Sequence, residues 1–195
     1  MNEIRLYFEG HKSLRPGFYE FFSELRRYAK EKGWRFHRLV ACGARAVDDF
    51  RYALQSHPEA WNILLMDSEG PDNGNLFYAL RRKHRLNADL KDSVFWMVQL
   101  MEAWFLADLD ALTGYYGQGF KVKILRGNPD VEQTPKDDVM RRLAAATRNT
   151  QKGKYDDRTK TTHAPDLLAR IRPERVKRTS RNCKRMFDTV LSRMA

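Results

Sequence analysis

The sequence predicts an α/β fold, a mainly parallel four-stranded sheet flanked by helices, followed by a basic, mainly helical extension. Three observations lead there. Short β-branched and aromatic runs alternate with stretches of helical period. The third such run ends on two acids one residue apart, in ILLMDSEGPDNG (63–74). The surplus of positive charge collects after about residue 120.

The elements follow in order. IRLYFEG (4–10) alternates apolar and mixed residues and ends in Glu9 and Gly10, as a strand meeting a loop does. After Pro16 and Gly17, residues Phe18, Phe21, Phe22, Leu25 and Tyr28 recur at helical spacing until Gly33. RFHRLVACG (35–43) reads as a second strand. VDDFRYALQSH (47–57) reads as a second helix, with Asp48 and Asp49 near its positive end. Asn62 to Met66 is the third strand, and the alternation around it implies parallel pairing with helices on the faces. SVFWMV (93–98) supplies a fourth strand, passing directly into an apolar helix over QLMEAWFLADLDAL (99–112). The glycines between Tyr115 and Gly119 break the pattern, which divides the chain into a core (1–114) and an extension packed on it (115–195). Further helices are predicted at 135–147, 164–171 and 180–194.

Composition bounds the partners. The 195 residues are enough for a real core, and 42% hydrophobic with 31% charged residues is a soluble globular balance. No apolar run reaches the roughly 18 residues that span a bilayer. The amino terminus carries Glu3 where a secretory leader has a basic patch. The expectation is a cytoplasmic protein without membrane contact, and the two distant cysteines, Cys42 and Cys183, fit reduced thiols. The 36 Lys plus Arg outnumber 25 Asp plus Glu, a net charge of +11 that suits a polyanion such as nucleic acid. The basic residues cluster at Arg81 to Arg85, in KGKYDDRTK (152–160) and in RPERVKRTSRNCKR (172–185). Solvated helix faces are the alternative explanation, above all for the last segment.

The acids carry the chemistry. In a parallel sheet the strands' carboxyl ends gather on one edge, where open α/β folds bind ligands. Glu9, Asp67 and Glu69 fall there, and if strand geometry persists past Met66, Asp67 and Glu69 point the same way. Two such carboxylates repel unless a cation intervenes, and Mg²⁺ (or Mn²⁺) takes one or two carboxylates while keeping waters for a phosphate. Glu9 reads as a further ligand, as a general acid or base, or as an ordinary carboxylate where a strand meets a loop. Glu102, inside FWMVQLMEAWFL, is a charge in an apolar stretch that needs a partner. With Gln99 on the same helical face, it either lines the metal site or satisfies a buried hydrogen bond. Asp108 and Asp110 read as a helix-surface pair or a cap.

With LYFEG on the first strand and LLMDSEG on the third, the sequence resembles the Toprim fold shared by topoisomerases, primases and the overcoming-lysogenization-defect nucleases. The resemblance implies a Rossmannoid core in which a Glu after the first strand and a D-x-D motif after the third organise Mg²⁺ for phosphodiester chemistry. Glu9 matches the former and Asp67-Ser68-Glu69 the latter, with Glu69 departing from the second Asp. The ExxxD arrangement of some Toprim enzymes is not present in EGHKS. ACGARAVDDF, VQLMEAWFLAD, YYGQGF, KGKY and LLARIRP also resemble a small Toprim-like family of unknown function encoded beside AAA-type ATPases in bacterial defence loci. That likeness implies an ATPase partner and an anti-phage effector.

Phosphodiester hydrolysis also needs cations for the phosphate. Arg45, in CGAR after the second strand, reads either as a phosphate clamp or as a surface ion pair. Lys152, Lys154 and Lys160 surround Tyr155, whose ring is suited to stack on a base. His163 reads as a proton shuttle or as a packed histidine. The catalytic expectation therefore rests on Glu9, Asp67, Glu69 and Glu102, in a metal-dependent nuclease acting on RNA or DNA. Its competitors are a non-catalytic scaffold that docks on an ATPase or nucleic acid, and a nucleotidyl- or phosphoryl-transfer enzyme using the same metal site.

Overall fold

Of the chain, the computed structural model describes residues 2–37 and 39–195. β1 (Glu3–Phe8) is covered on both faces: Ile4, Leu6 and Phe8 enter one apolar cluster and Tyr7 the other. That double burial marks a strand interior to a parallel sheet. α1 (Arg15–Phe21) starts with Pro16, whose fixed φ suits a first helical turn, and α2 (Ser23–Glu31) follows after Phe22. Their aromatic stripe of Phe18, Phe21 and Phe22 is core, as the spacing indicates.

The second strand differs from its expectation. It is split into β2 (Arg35–Phe36) and β3 (Val40–Ala41), both parallel to β1. Between the two pairings β1 advances from Ile4 to Tyr7 while its partner advances from Phe36 to Val40, one residue more. An extra residue on one side interrupts the ladder. α3 (Ala46–Ser56), β4 (Trp61–Asp67), α4 (Leu76–His84) and β5 (Val94–Met97) complete the alternation. The sheet order is β2–β1–β4–β5 with β3 beside β1, every pairing parallel.

Past β5 the expected continuous helix is absent. Gln99 takes a left-handed backbone (φ 68°), Met101–Ala107 is a 3-10 segment, and a new helix, α5 (Leu109–Tyr116), starts at Asp108. The apolar density there reports burial and not period. α6 (Lys136–Thr147), α7 (Lys160–Arg170), α8 (Pro173–Thr179) and α9 (Arg181–Met194) follow; α7 starts earlier than its sequence pattern, and α8 was not anticipated.

These later helices pack with α1 and α2 on one face of the sheet, in a cluster that includes Leu112, Leu143, Leu167, Val176 and Phe187. α3 and α4 cover the opposite face. Gly17 sets how closely α1 meets α7: a Cβ there would lie 2.5 Å from the Pro165 carbonyl oxygen and 2.7 Å from Leu168 Cβ. This contact seats α7, and with it Lys160, against the core. Among the described residues no helix is long and apolar enough to cross a membrane. Cys42 and Cys183 are buried free thiols.

Candidate metal and phosphate cleft

β1 and β4 end together, so the residues that follow them meet at one edge. Glu9 N–H donates to the Leu65 carbonyl (2.9 Å), and Asp67 N–H donates to Glu9 Oε2 (3.2 Å). Asp67 Oδ1 in turn accepts from the Met101 N–H (2.8 Å), which brings the start of the 3-10 segment, and Glu102 with it, to the same place. Glu102 is 6% exposed, and its Oε1 accepts from the Tyr155 hydroxyl (2.8 Å). Together Glu9, Gly10, Asp67, Glu102, Lys160 and Thr161 help line a cleft of about 110 Å³. Gly10 suits its place: its φ is 134°, and a Cβ would lie 2.7 Å from Leu14 Cδ1.

The electrostatics are one-sided. Burial pushes the Asp67 carboxyl well above the usual range, and the charges of Glu102 and Glu9 push it further. Burial also raises Glu102, against the Tyr155 hydrogen bond that lowers it, and raises Glu9. For Lys160, burial acts downward, but its hydrogen bond with Asp157 and the charge of Glu102 leave the ammonium held above its ordinary value. Glu9 Oε1 and Asp67 Oδ2 have no hydrogen-bond partner among the described residues.

Glu69 is placed otherwise than the strand argument expects. Strand geometry stops at Asp67, and Glu69 has a left-handed backbone (φ 59°), so the two acids do not continue one alternation. The turn is stitched to the segment after β5: Ser68 N–H donates to Met97 O (3.2 Å), Glu69 N–H to Gln99 O (3.1 Å), and Gln99 N–H to Ser68 Oγ (2.8 Å). The Glu69 side chain is 61% exposed and pairs with Lys136 Nζ at 2.6 Å. Among the described residues no three Asp, Glu, His or Cys side chains are drawn together as a ready metal cage. Gln99 does not share a helical face with Glu102. Its side chain reaches the other way, Nε2 toward Glu132 O (3.4 Å) and Oε1 accepting from the Lys136 N–H (3.3 Å).

Of the basic candidates, only Lys160 lines the cleft, at the first turn of α7. Arg45 is exposed beyond β3 and pairs with Asp49 at 3.5 Å, the surface ion pair. Lys152 Nζ stands over the Tyr115 ring at 4.5 Å, and Lys154 pairs with Asp156 at 3.4 Å. His163 is buried on α7, 3.0 Å from the Tyr115 hydroxyl, with burial and then the Lys152 charge lowering its pKa; it is the packed histidine. Tyr155 is fully buried, so its ring is not available to a base. Asp108 is the cap: it accepts from Ala111 N–H (3.4 Å) and from Arg172. Sequence reasoning passed over Tyr155 as the partner of Glu102, and over Gly10 and Thr161. A phenol in a basic, glycine-containing stretch gave no sign of burial, whereas Gly10 directly after Glu9 was a usable sign.

No curated protein matches the chain in sequence. The C-terminal region of the Burkholderia pseudomallei OLD protein superposes on it with a TM-score of 0.53, over 100% of this chain and 98% of that one, at 12% identity. At that identity the likeness shows the fold alone: a Rossmann-like Toprim fold with helices on both faces of its parallel sheet. The family described as a domain of unknown function, DUF4276, matches residues 11–191.

Proposed function

We propose that this chain, which belongs to the DUF4276 family, is a metal-dependent Toprim-type nuclease that hydrolyses phosphodiester bonds of RNA or DNA. One observation carries the proposal: Glu9, Asp67 and Glu102 share a small cleft in which each is pushed toward neutrality, and among the described lining residues Lys160 is the one lysine or arginine. A divalent ion relieves that repulsion, and the donor set fits it. Carboxylate oxygens are hard ligands, and one or two of them suffice for Mg²⁺ or Mn²⁺, which keep waters for a phosphate substrate. Asp67 and Glu9 would hold the ion, and when bound it supplies Lewis acidity toward a phosphoryl oxygen.

The chain's own groups do the rest. Asp67 is fixed by the Met101 N–H and Glu9 by the Asp67 N–H, so neither has to be ordered on binding. Glu102, held at Oε1 by Tyr155 and raised by burial, is suited to accept and return a proton. Lys160 Nζ, at the first turn of α7, offers positive charge to a phosphate. Glu69 joins the ligand set only by giving up Lys136. Lys152, Lys154, Arg45 and His163 act, on this proposal, away from the bond that breaks. The defence-locus resemblance supports an anti-phage effector whose activity a partner ATPase controls.

The test pairs cleavage with binding. A panel of tRNA, single-stranded and duplex substrates with Mg²⁺ or Mn²⁺ is expected to show cleavage that Asp67→Ala abolishes while circular dichroism stays native. Manganese binding followed by electron paramagnetic resonance is expected to weaken in the same variant, and this second readout holds even when cleavage needs the ATPase. Cleavage and manganese affinity both unchanged in Asp67→Ala would refute the proposal. The Glu69–Lys136 pair, which leaves the acidic set short of a ligand, favours a second reading: a non-catalytic scaffold that docks on an ATPase or on nucleic acid. Native manganese binding without cleavage, with the partner present, would favour it.

A further inference from the structure

We propose that the outer side of α4, from Asn75 to the turn after the helix, is a docking surface for single-stranded nucleic acid, separate from the cleft. The extension helices pack on the opposite face of the sheet, so α3 and α4 are left as an outer layer. On this layer lies an open groove of about 720 Å³, lined by Asn75, Tyr78, Arg81, Arg82, Arg85 and Leu86 with no acidic side chain among the lining residues. Tyr78 is 54% exposed, with Lys91 Nζ 5.9 Å from its ring. Arg82, Lys83 and Arg85 are exposed and form no ion pair among the described residues.

Helix architecture explains part of this cluster. Cations in a last helical turn complement the helix dipole, and Arg81 Nε donates to Leu86 O at 3.2 Å, closing the end of α4. Arg85 is not explained that way. It lies past the helix with φ 54° and ψ 42°, the left-handed position that glycine occupies without a Cβ penalty. The chain keeps an arginine where local structure favours glycine, and the guanidinium lines the groove. An exposed tyrosine amid several uncompensated cations is the arrangement that tracks a strand's phosphates while one base stacks. The inference rests on the proposed function in naming nucleic acid as the polyanion. It stands on different residues and is tested without metal.

The experiment is fluorescence anisotropy of labelled oligouridylate and oligothymidylate over a salt series in EDTA, so that no cleavage occurs. Arg82→Ala with Arg85→Ala is expected to flatten the log K against log salt slope by about 1.4, and to weaken binding about fifteenfold near 0.15 M salt, from about 0.7 per lost phosphate contact. Tyr78→Ala weakens binding without altering the slope. Arg85→Gly distinguishes binding from structure: it keeps or raises Tm, because the left-handed strain is relieved, yet weakens binding about fourfold. Wild-type protein that fails to bind either oligonucleotide at low salt, a double variant with unaltered slope and affinity, or an Arg85→Gly protein that binds as wild type would each overturn the proposal.

Discussion

Glu102 and Asp108 stand at the two ends of one 3-10 segment, both nearly sealed from solvent at 6% and 1% exposure. Their surroundings are opposite. Asp108 accepts from the Arg172 backbone N–H (2.9 Å), from Arg172 Nε (2.7 Å) and Nη2 (2.6 Å), and from Ala111 N–H. Burial acts to raise its pKa, but these donors hold it below the ordinary value. Glu102 has the Tyr155 hydroxyl and shares its cleft with two more acids, and it is held above. The fold thus places an arginine on a buried acid where the end of the 3-10 segment meets the start of α8. At the cleft it leaves three acids underneutralised, and uncompensated charge of that kind marks functional sites more often than structural ones.

The contrast predicts substitutions of opposite sign, and the largest loss is at Asp108. Asp108→Ala removes the cap of α5, worth about 0.5–2 kcal/mol by itself, and takes away the partner of Arg172 as well. Because the folded pKa lies below the unfolded one, this stabilisation is present above about pH 4 and is lost as pH falls through the folded value. Urea denaturation at neutral pH is expected to show the full deficit, and the gap to wild type to close in acid. A variant as stable as wild type at pH 7 would break the comparison.

Next in size is Tyr155→Phe. It strips the hydroxyl from a buried carboxylate, at a cost of about 1.5–3 kcal/mol if Glu102 stays charged, less to the extent that it takes up a proton. The opposite sign belongs to Asp67→Asn, which keeps an acceptor for the Met101 N–H and removes the repelled charge. The folded pKa of Asp67 is raised, so its favourable contribution is present below about pH 4 and lost as pH rises through the raised value. At neutral pH and in EDTA, Asp67→Asn should therefore melt above wild type. Adding Mn²⁺ should raise the wild-type Tm and leave the variant where it was.

The first, third and fourth strands, the edge where they end and the nearness of Glu9 to Asp67 were legible in the sequence because alternation and position after a strand are local signals; the split of the second strand was not. The failures are where distant segments decide. DSEG has the composition of a turn as much as of a ligand motif, and only its ladder to Gln99 turns Glu69 left-handed and outward. FWMVQLMEAWFLAD is so uniformly apolar that no period separates strand, 3-10 segment and helix. Lys160 was singled out as one of the lysines around Tyr155, not for its place at a helix start, which the sequence pattern puts four residues later than α7 begins. Tyr155 was misread because the basic residues around it conceal that its ring is covered by Phe105 and by His163.

The smallest expected effect tests the acid left outside. Lys136 and Glu69 form an exposed ion pair, so Lys136→Ala should leave Tm within error, since exposed pairs contribute little. What changes is the competition for Glu69. The pair holds the carboxylate on α6 while backbone bonds to Gln99 hold its peptide beside the cleft, so freeing the side chain leaves it tethered near Asp67. If Glu69 is a ligand, Mn²⁺ affinity measured by electron paramagnetic resonance rises in Lys136→Ala, and the gain disappears when Glu69→Gln is added. Identical affinity in all three proteins would take Glu69 out of the ligand set and leave Glu9 and Asp67 to hold the ion alone. In that case the left-handed turn serves to keep the second acid of the motif out of the cleft, and the likeness to D-x-D ends at its first residue.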